Sequence, residues 1–294
     1  MIVRHVFSYA LSAAAVAFLL AGTGGRAQDS SKAKLKEIIP PGRQAPRPLG
    51  PSGPAGPVQR TADGKPDLSG IWIASGALPL LIGADATAAV LKADAAAGRA
   101  PAPPREAPPY KPAAEARRQE YLARRGIDDP MALCLISGVP RITFRPLPFQ
   151  IFQLPGQIVM LYEVHHAFRI VPTDGRPHPD DVDPSYLGDS VGHWEGNTLV
   201  LDVTGFNEKT WLVGVGTVHS EKLRVTERYT RDTYDTIRYQ ATMDDPEVFT
   251  KPWQIEETLR LRPNERLREY ECIENNEDLL RIEQLLQNES VFRK

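Results

Sequence analysis

From Ile142 onward apolar and polar residues alternate with a period of two, punctuated by turn residues, and this pattern restricts the domain to antiparallel β structure. Residues 149–153 lead through Pro155-Gly156 into residues 157–164, a hairpin by alternation and turn chemistry. A single long strand is expected to run from Ile158 to Val171. Residues 193–203 hold a second hairpin around Glu195-Gly196-Asn197, and residues 223–230, 236–243, 254–261 and 267–272 supply four more strands. About seven to nine strands without βαβ spacing predict a mainly β fold, an antiparallel meander closing into a barrel or a strongly curved sandwich.

The first 66 residues have a different character. Arg4, the apolar run 6–20 and the small residues around Gly25-Arg26-Ala27 read as a signal peptide over residues 1–27. The run is shorter than a spanning helix needs and ends in Gly22-Thr23-Gly24-Gly25, so no stable membrane insertion is expected after cleavage. The segment Leu20-Ala21-Gly22 is followed by Thr23 where lipid attachment requires Cys. Residues 28–66, rich in Pro, Gly, Ser and Lys, read as a disordered tether with polyproline character. The ordered domain is then expected over residues 67–294, opening on a short strand at Asp67-Leu68-Ser69-Gly70-Ile71-Trp72. A helical segment at about 78–131 holds an alanine-rich helix and, over residues 113–125, a charged one stopped at Gly126.

Export sets the available chemistry. Cys134 and Cys272 are the two cysteines, and in a periplasmic or extracellular setting they are expected to form one disulfide. Cleavage removes two arginines and no acid, taking the net charge from −2 to −4. Acids and bases alternate, with no basic stripe for a nucleic acid.

Every histidine after the leader, His165, His166, His178, His193 and His219, falls in one stretch of the β region, which makes that stretch the place to seek a site. On a continuous strand, Tyr162, Val164, His166, Phe168 and Ile170 would share one face, and Glu163, His165, Ala167 and Arg169 the other. The polar row would line a wet lumen or face solvent, and the strand alone does not choose between them. The turn Thr173-Asp174-Gly175-Arg176-Pro177-His178 exposes three further polar groups. His178 with Asp180, Asp181 and Asp183 is the arrangement nearest to a metal site, but it lacks HxH, HExxH or CxxC spacing, and no cofactor is predicted. Ser190 lacks the GxSxG elbow of a nucleophile.

The succession Asp67-Leu68-Ser69-Gly70-Ile71-Trp72, Cys134 with Gly138-Val139-Pro140-Arg141, Thr173-Asp174-Gly175-Arg176-Pro177-His178 and Gly188-Asp189-Ser190-Val191-Gly192-His193-Trp194-Glu195-Gly196-Asn197-Thr198-Leu199-Val200 resembles a widespread family of secreted bacterial proteins. The resemblance extends to Glu163, Phe206-Asn207, Trp211, His219-Ser220 and the Tyr270/Cys272 pair, and covers nearly the whole domain. It implies a coherent secreted fold and no particular activity; His193 departs from the family pattern, in which another basic residue is frequent. Gly70-Ile71-Trp72 is also similar to the opening G-x-W of lipocalin-type, or calycin, barrels.

Three functions follow as expectations. One is an exported, calycin-like barrel binding a small, partly apolar molecule, with Tyr162, Trp194 and Trp211, beside Trp72 and Trp253, as walls or core. Its polar groups would be Asp174, Arg176 and His178 together with Glu163, His165 and Arg169. The second is a lyase, isomerase or hydrolase in the same pocket, with Glu163 and His165 or His166 as acid and base and Arg169 or Arg176 stabilising negative charge. The third is an assembly protein acting through its Pro-rich arm.

Overall fold

A computed structural model describes residues 56–75, 107–124, 128–214, 216–274 and 276. Both the expected leader and the alanine-rich helix lie outside the described residues. The chain is mainly β, with nine strands in one nearly closed barrel and one described α-helix. The strands are β1 (Gly70–Ala74), β2 (Phe149–Leu154), β3 (Gln157–Tyr162), β4 (Phe168–Pro172), β5 (Asp189–Glu195), β6 (Thr198–Thr204), β7 (Arg224–Thr233), β8 (Thr236–Asp244) and β9 (Trp253–Leu261). They lie in the order β4-β3-β2-β1-β9-β8-β7-β6-β5, with every ladder antiparallel. Helix α1 (Pro112–Ala123) starts on a proline, which suits the first helical turn, and reproduces the charged helix expected there.

Both expected hairpins form. Gly156 carries φ of +74° in the β2–β3 turn and Gly196 carries φ of +60° in the β5–β6 turn, conformations that glycine adopts without steric cost. Order begins before Asp67, earlier than the tether boundary expected at residue 66. Arg60 pairs with Pro66 across a tight turn, and Thr61 Oγ1 hydrogen-bonds Asp63. At the other end residues 267–272, expected as a strand, belong to no ladder. They form a strap that leaves β9 and runs back to Cys134, at disulfide distance from Cys272 with Cα atoms 5.5 Å apart. Closing a loop of this size contributes about 4–5 kcal/mol in the chain-entropy account.

The long strand expected from Ile158 to Val171 is two strands. The chain reverses at residues 163–167, and β3 pairs with β4 with Leu161 opposite Phe168 and Val159 opposite Ile170. This inverts the expected faces: Arg169 points into the barrel and is buried, while Phe168 and Ile170 are 61% and 56% exposed on the outside. No glycine or proline marks this turn. His165 and His166 supply it with φ of +59° and +50°.

An odd number of strands leaves one junction that cannot be antiparallel, and it falls between β4 and β5. Side chains close it. Arg169 Nη2 of β4 donates to Ser190 Oγ of β5 at 2.8 Å and to Glu227 Oε2 of β7 at 2.6 Å. Tyr229 and Tyr239 donate their hydroxyls to the other Glu227 oxygen at 3.0 and 2.9 Å. Burial would lower the Arg169 pKa, and the adjacent Glu227 carboxylate more than reverses this, so the guanidinium stays charged. Gly192 lets the strands approach; a Cβ there would meet Leu201 at 2.8 Å and Thr173 at 3.0 Å. Around this cluster the barrel is filled by Trp72, Phe149, Ile151, Met160, Leu201, Met243 and Leu259.

Arg169→Met removes the guanidinium partner of Glu227 and leaves its Oε2 without a hydrogen-bond donor in the core. It should cost about 3–5 kcal/mol in urea unfolding, and the double variant Arg169→Met, Glu227→Leu should recover much of that loss.

Candidate functional site

The β3–β4 turn and the C-terminal strap enclose a cleft of about 240 Å³ lined by Leu161, Tyr162, Glu163, His166, Ala167, Phe168, Leu267 and Arg268. Its walls are apolar. The polar groups are few: Glu163, which is buried and accepts the Arg268 backbone N–H at 2.9 Å, and His166, whose Nδ1 lies 3.5 Å from Glu271 Oε1. Tyr162 lies between the cleft and the barrel interior, its ring stacked on Phe149 at 5.3 Å. The C-terminal strap therefore both covers the turn and fixes its carboxylate.

His165 is held differently. It is half-buried, and its Nε2 is buried without a hydrogen-bond partner. Burial, followed by the electrostatic effect of neighbouring Arg145, His166 and Arg141, lowers its pKa from 6.5 to about 4. It is thus a neutral imidazole at physiological pH. Arg141 makes a bidentate pair with Asp129 at 2.8 and 2.6 Å, and burial together with Arg141 brings Arg145 down to about 10.

The remaining predicted site residues do not join this group. Arg169 is sealed inside the barrel on Glu227. Asp174 and Arg176 pair with each other on an exposed turn, with Nε–Oδ1 at 3.0 Å, and the Arg176 hydrogen bonds lower Asp174 to about 2. His178 turns away from them and bridges Asp189 (Nδ1 to Oδ1, 2.5 Å) and Asp202 (Nε2 to Oδ2, 3.3 Å). This joins the two long motif segments noted in the sequence, the 173–178 turn and the 188–200 hairpin. Trp194 lies under Lys65 Nζ, 5.8 Å from the ring, and buried Trp211 packs on Tyr121 of α1 at 5.2 Å. Trp72 is core, with the Arg231 guanidinium 5.3 Å over its ring, and Trp253 packs on Phe249.

His219 is a satisfied core histidine. Its Nδ1 donates to the Ser220 carbonyl at 3.0 Å and its Nε2 accepts from Thr210 Oγ1 at 2.8 Å, while burial lowers its pKa. Ser220 and Asp245 bond to each other, and Asp245 caps the following turn. Among the described residues no group of three or more His, Cys, Asp or Glu is arranged to hold a metal, and no helix is long and apolar enough to cross a membrane.

Arg268, Leu267, Arg145 and Glu227 were not singled out from the sequence. Glu227 had a readable signal, because Val225, Glu227, Tyr229 and Arg231 alternate inward on β7, placing an acid in an otherwise core-facing row. Arg268 had none; it reaches the site through the strap. No family model, curated protein or solved structure matches the chain.

The lowered pKa of His165 has a consequence for stability. The folded value lies below the unfolded one, so the unfolded chain takes up a proton first as pH falls. The stabilising contribution of neutral His165 is complete above about pH 6.5 and is lost progressively toward pH 4. His165→Asn keeps a residue that tolerates positive φ. It should reduce the drop in urea midpoint between about pH 7.5 and pH 5, leaving the part due to His219.

Proposed function

We propose that the protein is an exported barrel that binds a small, partly apolar molecule in the cleft between the β3–β4 turn and the C-terminal strap. The observation that carries this reading is the lining itself: Leu161, Ala167, Phe168 and Leu267 as apolar walls, with Glu163, His166 and Arg268 as the few orienting groups. Asp174, Arg176, His178, Trp194 and Trp211, expected among the ligand contacts, are engaged elsewhere. Export is supported by the leader-like residues 1–27 and by a cysteine pair at disulfide distance, which suits an oxidising periplasmic or extracellular compartment.

A second reading is favoured by one specific observation. His165 combines positive φ with an unpartnered, buried Nε2, a strained and unsatisfied arrangement of the kind found at catalytic sites. A lyase, isomerase or hydrolase would use Glu163 with His165 or His166 as base and acid. Its cation would be Arg268, because Arg169 and Arg176 are both committed to carboxylates away from the cleft.

N-phenyl-1-naphthylamine, a neutral apolar probe whose fluorescence rises in dry sites, separates the possibilities. Saturable binding is expected for the full-length chain, and Leu267→Asp should weaken it by about tenfold, the loss of one apolar wall. Binding that is unsaturable, or unchanged in this variant, overturns the cleft as the site. Glu163→Gln should shift affinity in a binder, whereas complete loss of turnover on a screened substrate would move the assignment to the catalytic reading.

A further inference from the structure

Arg145 is a cation without a partner. It follows the single 3₁₀ turn at Arg141–Phe144, and its Nε is buried without a hydrogen-bond partner. Among the described residues its guanidinium makes no hydrogen bond and no ion pair. The more deeply buried arginines are all held: Arg141 by Asp129 at 2.8 and 2.6 Å, Arg169 by Glu227 at 2.6 Å, and Arg231 by the Tyr234 carbonyl at 3.2 Å. Taking a guanidinium out of water without a counter-charge is costly, which makes Arg145 a receptor for a negative group. Its neighbours narrow the class of that group. Arg141, Asp129 and Tyr270 act electrostatically on Arg145, and Arg145, His166 and Arg141 act on His165. Arg141 and Asp129 balance each other in their bidentate pair, and His166 faces Glu271, which leaves Arg145 as one uncompensated positive charge. His165 stands in the same neighbourhood as a neutral imidazole, its Nε2 buried and unpartnered, and the Nε of Arg141 is unpartnered as well. Arg145 and His165 are only partly buried, so a small solute reaches them.

We propose that Arg145 and His165 form a binding site for a carboxylate, the guanidinium giving the side-on fork of its Nε–H and an Nη–H and the imidazole its Nε2–H. The planar fork of an arginine matches the two oxygens of a carboxylate. A single uncompensated positive charge selects a monoanion over a doubly charged phosphate, which would bring an unbalanced negative charge into a partly buried place. The site is separate from the cleft. Glu163 and His166 line the cleft, whereas neither His165 nor Arg145 does, so the inference rests on neither reading of the cleft's function.

The probe is sodium acetate, titrated into the full-length chain with its cysteines oxidised, in low-salt buffer near neutral pH, and read by the urea midpoint and by the imidazole NMR signals. A group that binds only the folded state stabilises it by mass action, so the midpoint should rise with acetate and then saturate, while sodium chloride at the same ionic strength gives no such rise. Bound acetate should also shift the His165 signals. Arg145→Met keeps an apolar stem and removes the charge. It should weaken acetate binding by about tenfold or more, the worth of a charge-assisted hydrogen bond. Without acetate the same variant should hold or raise the midpoint, because it removes a cation that has no partner in the chain. A midpoint indifferent to acetate, or one that responds equally to acetate and chloride, overturns the proposal. So does a lower midpoint of Arg145→Met in acetate-free buffer, which would mean that the chain itself already pairs Arg145. Inorganic phosphate that binds saturably and more tightly than acetate overturns the assignment to a carboxylate. N-phenyl-1-naphthylamine reads the cleft separately, and its binding should be unchanged in Arg145→Met, so a failure of this site and a failure of the cleft are told apart.

Discussion

The ion pair between Arg169 and Glu227 is the contact on which the rest of this barrel depends. Nine strands joined by antiparallel ladders cannot close without one parallel junction, and here no backbone ladder spans it. The closure comes instead from a guanidinium on β4 that reaches Ser190 on β5 and Glu227 on β7, with two tyrosines filling the remaining acceptor capacity of the carboxylate. The register of β4 itself is set by its ladder with β3, and Arg169 Nη2 adds two hydrogen bonds across the open junction. Fixing β4 in this way also fixes what lies at its start, because Phe168 follows directly on the turn that forms the cleft.

That turn explains where sequence and structure part. The hairpins at Pro155-Gly156 and Gly196 were legible because the residues that permit the reversal are visible by type. At residues 163–167 nothing of that kind is present, and apolar residues continue through it, so the stretch reads as one strand. The reversal is enforced from outside: the Tyr162 N–H bonds the Ala167 carbonyl at 2.8 Å, the Glu163 N–H bonds the Pro148 carbonyl at 3.1 Å, and the strap holds the Glu163 side chain. Two histidines at positive φ are the local cost. A one-strand reading then carries its error forward in a predictable way. It assigns Arg169 to the wrong partner set and buries Phe168 and Ile170, which face outward.

The same reasoning accounts for how much of the candidate site could be read. Glu163, His166 and Tyr162 were found because they cluster in sequence around the turn, and they line one cleft. Asp174, Arg176 and His178 also cluster in sequence, yet Asp174 and Arg176 are satisfied within their own turn and His178 by the acids of β5 and β6. Proximity along the chain is a fair guide to a shared neighbourhood and a poor one to a shared direction. The residues missed, Leu267 and Arg268, come from the far end of the chain and reach the cleft after β9 has ended.

The cleft therefore has one wall from the barrel and one from the strap, and the two are held together at three points: the Arg268 N–H on Glu163, Glu271 beside His166, and Cys272 beside Cys134. The first two are a single hydrogen bond and a half-exposed imidazole–carboxylate contact at 3.5 Å, each worth at most about 1 kcal/mol. The cysteine pair is the strongest of the three, and it is also the one that depends on compartment. With the cysteines oxidised the strap is tethered four residues beyond Arg268, so the polar groups of the cleft are held together in advance. With the cysteines reduced, gathering the same groups would work against the entropy of a freed chain end. A preformed cleft and an oxidised Cys134–Cys272 pair are thus one physical condition.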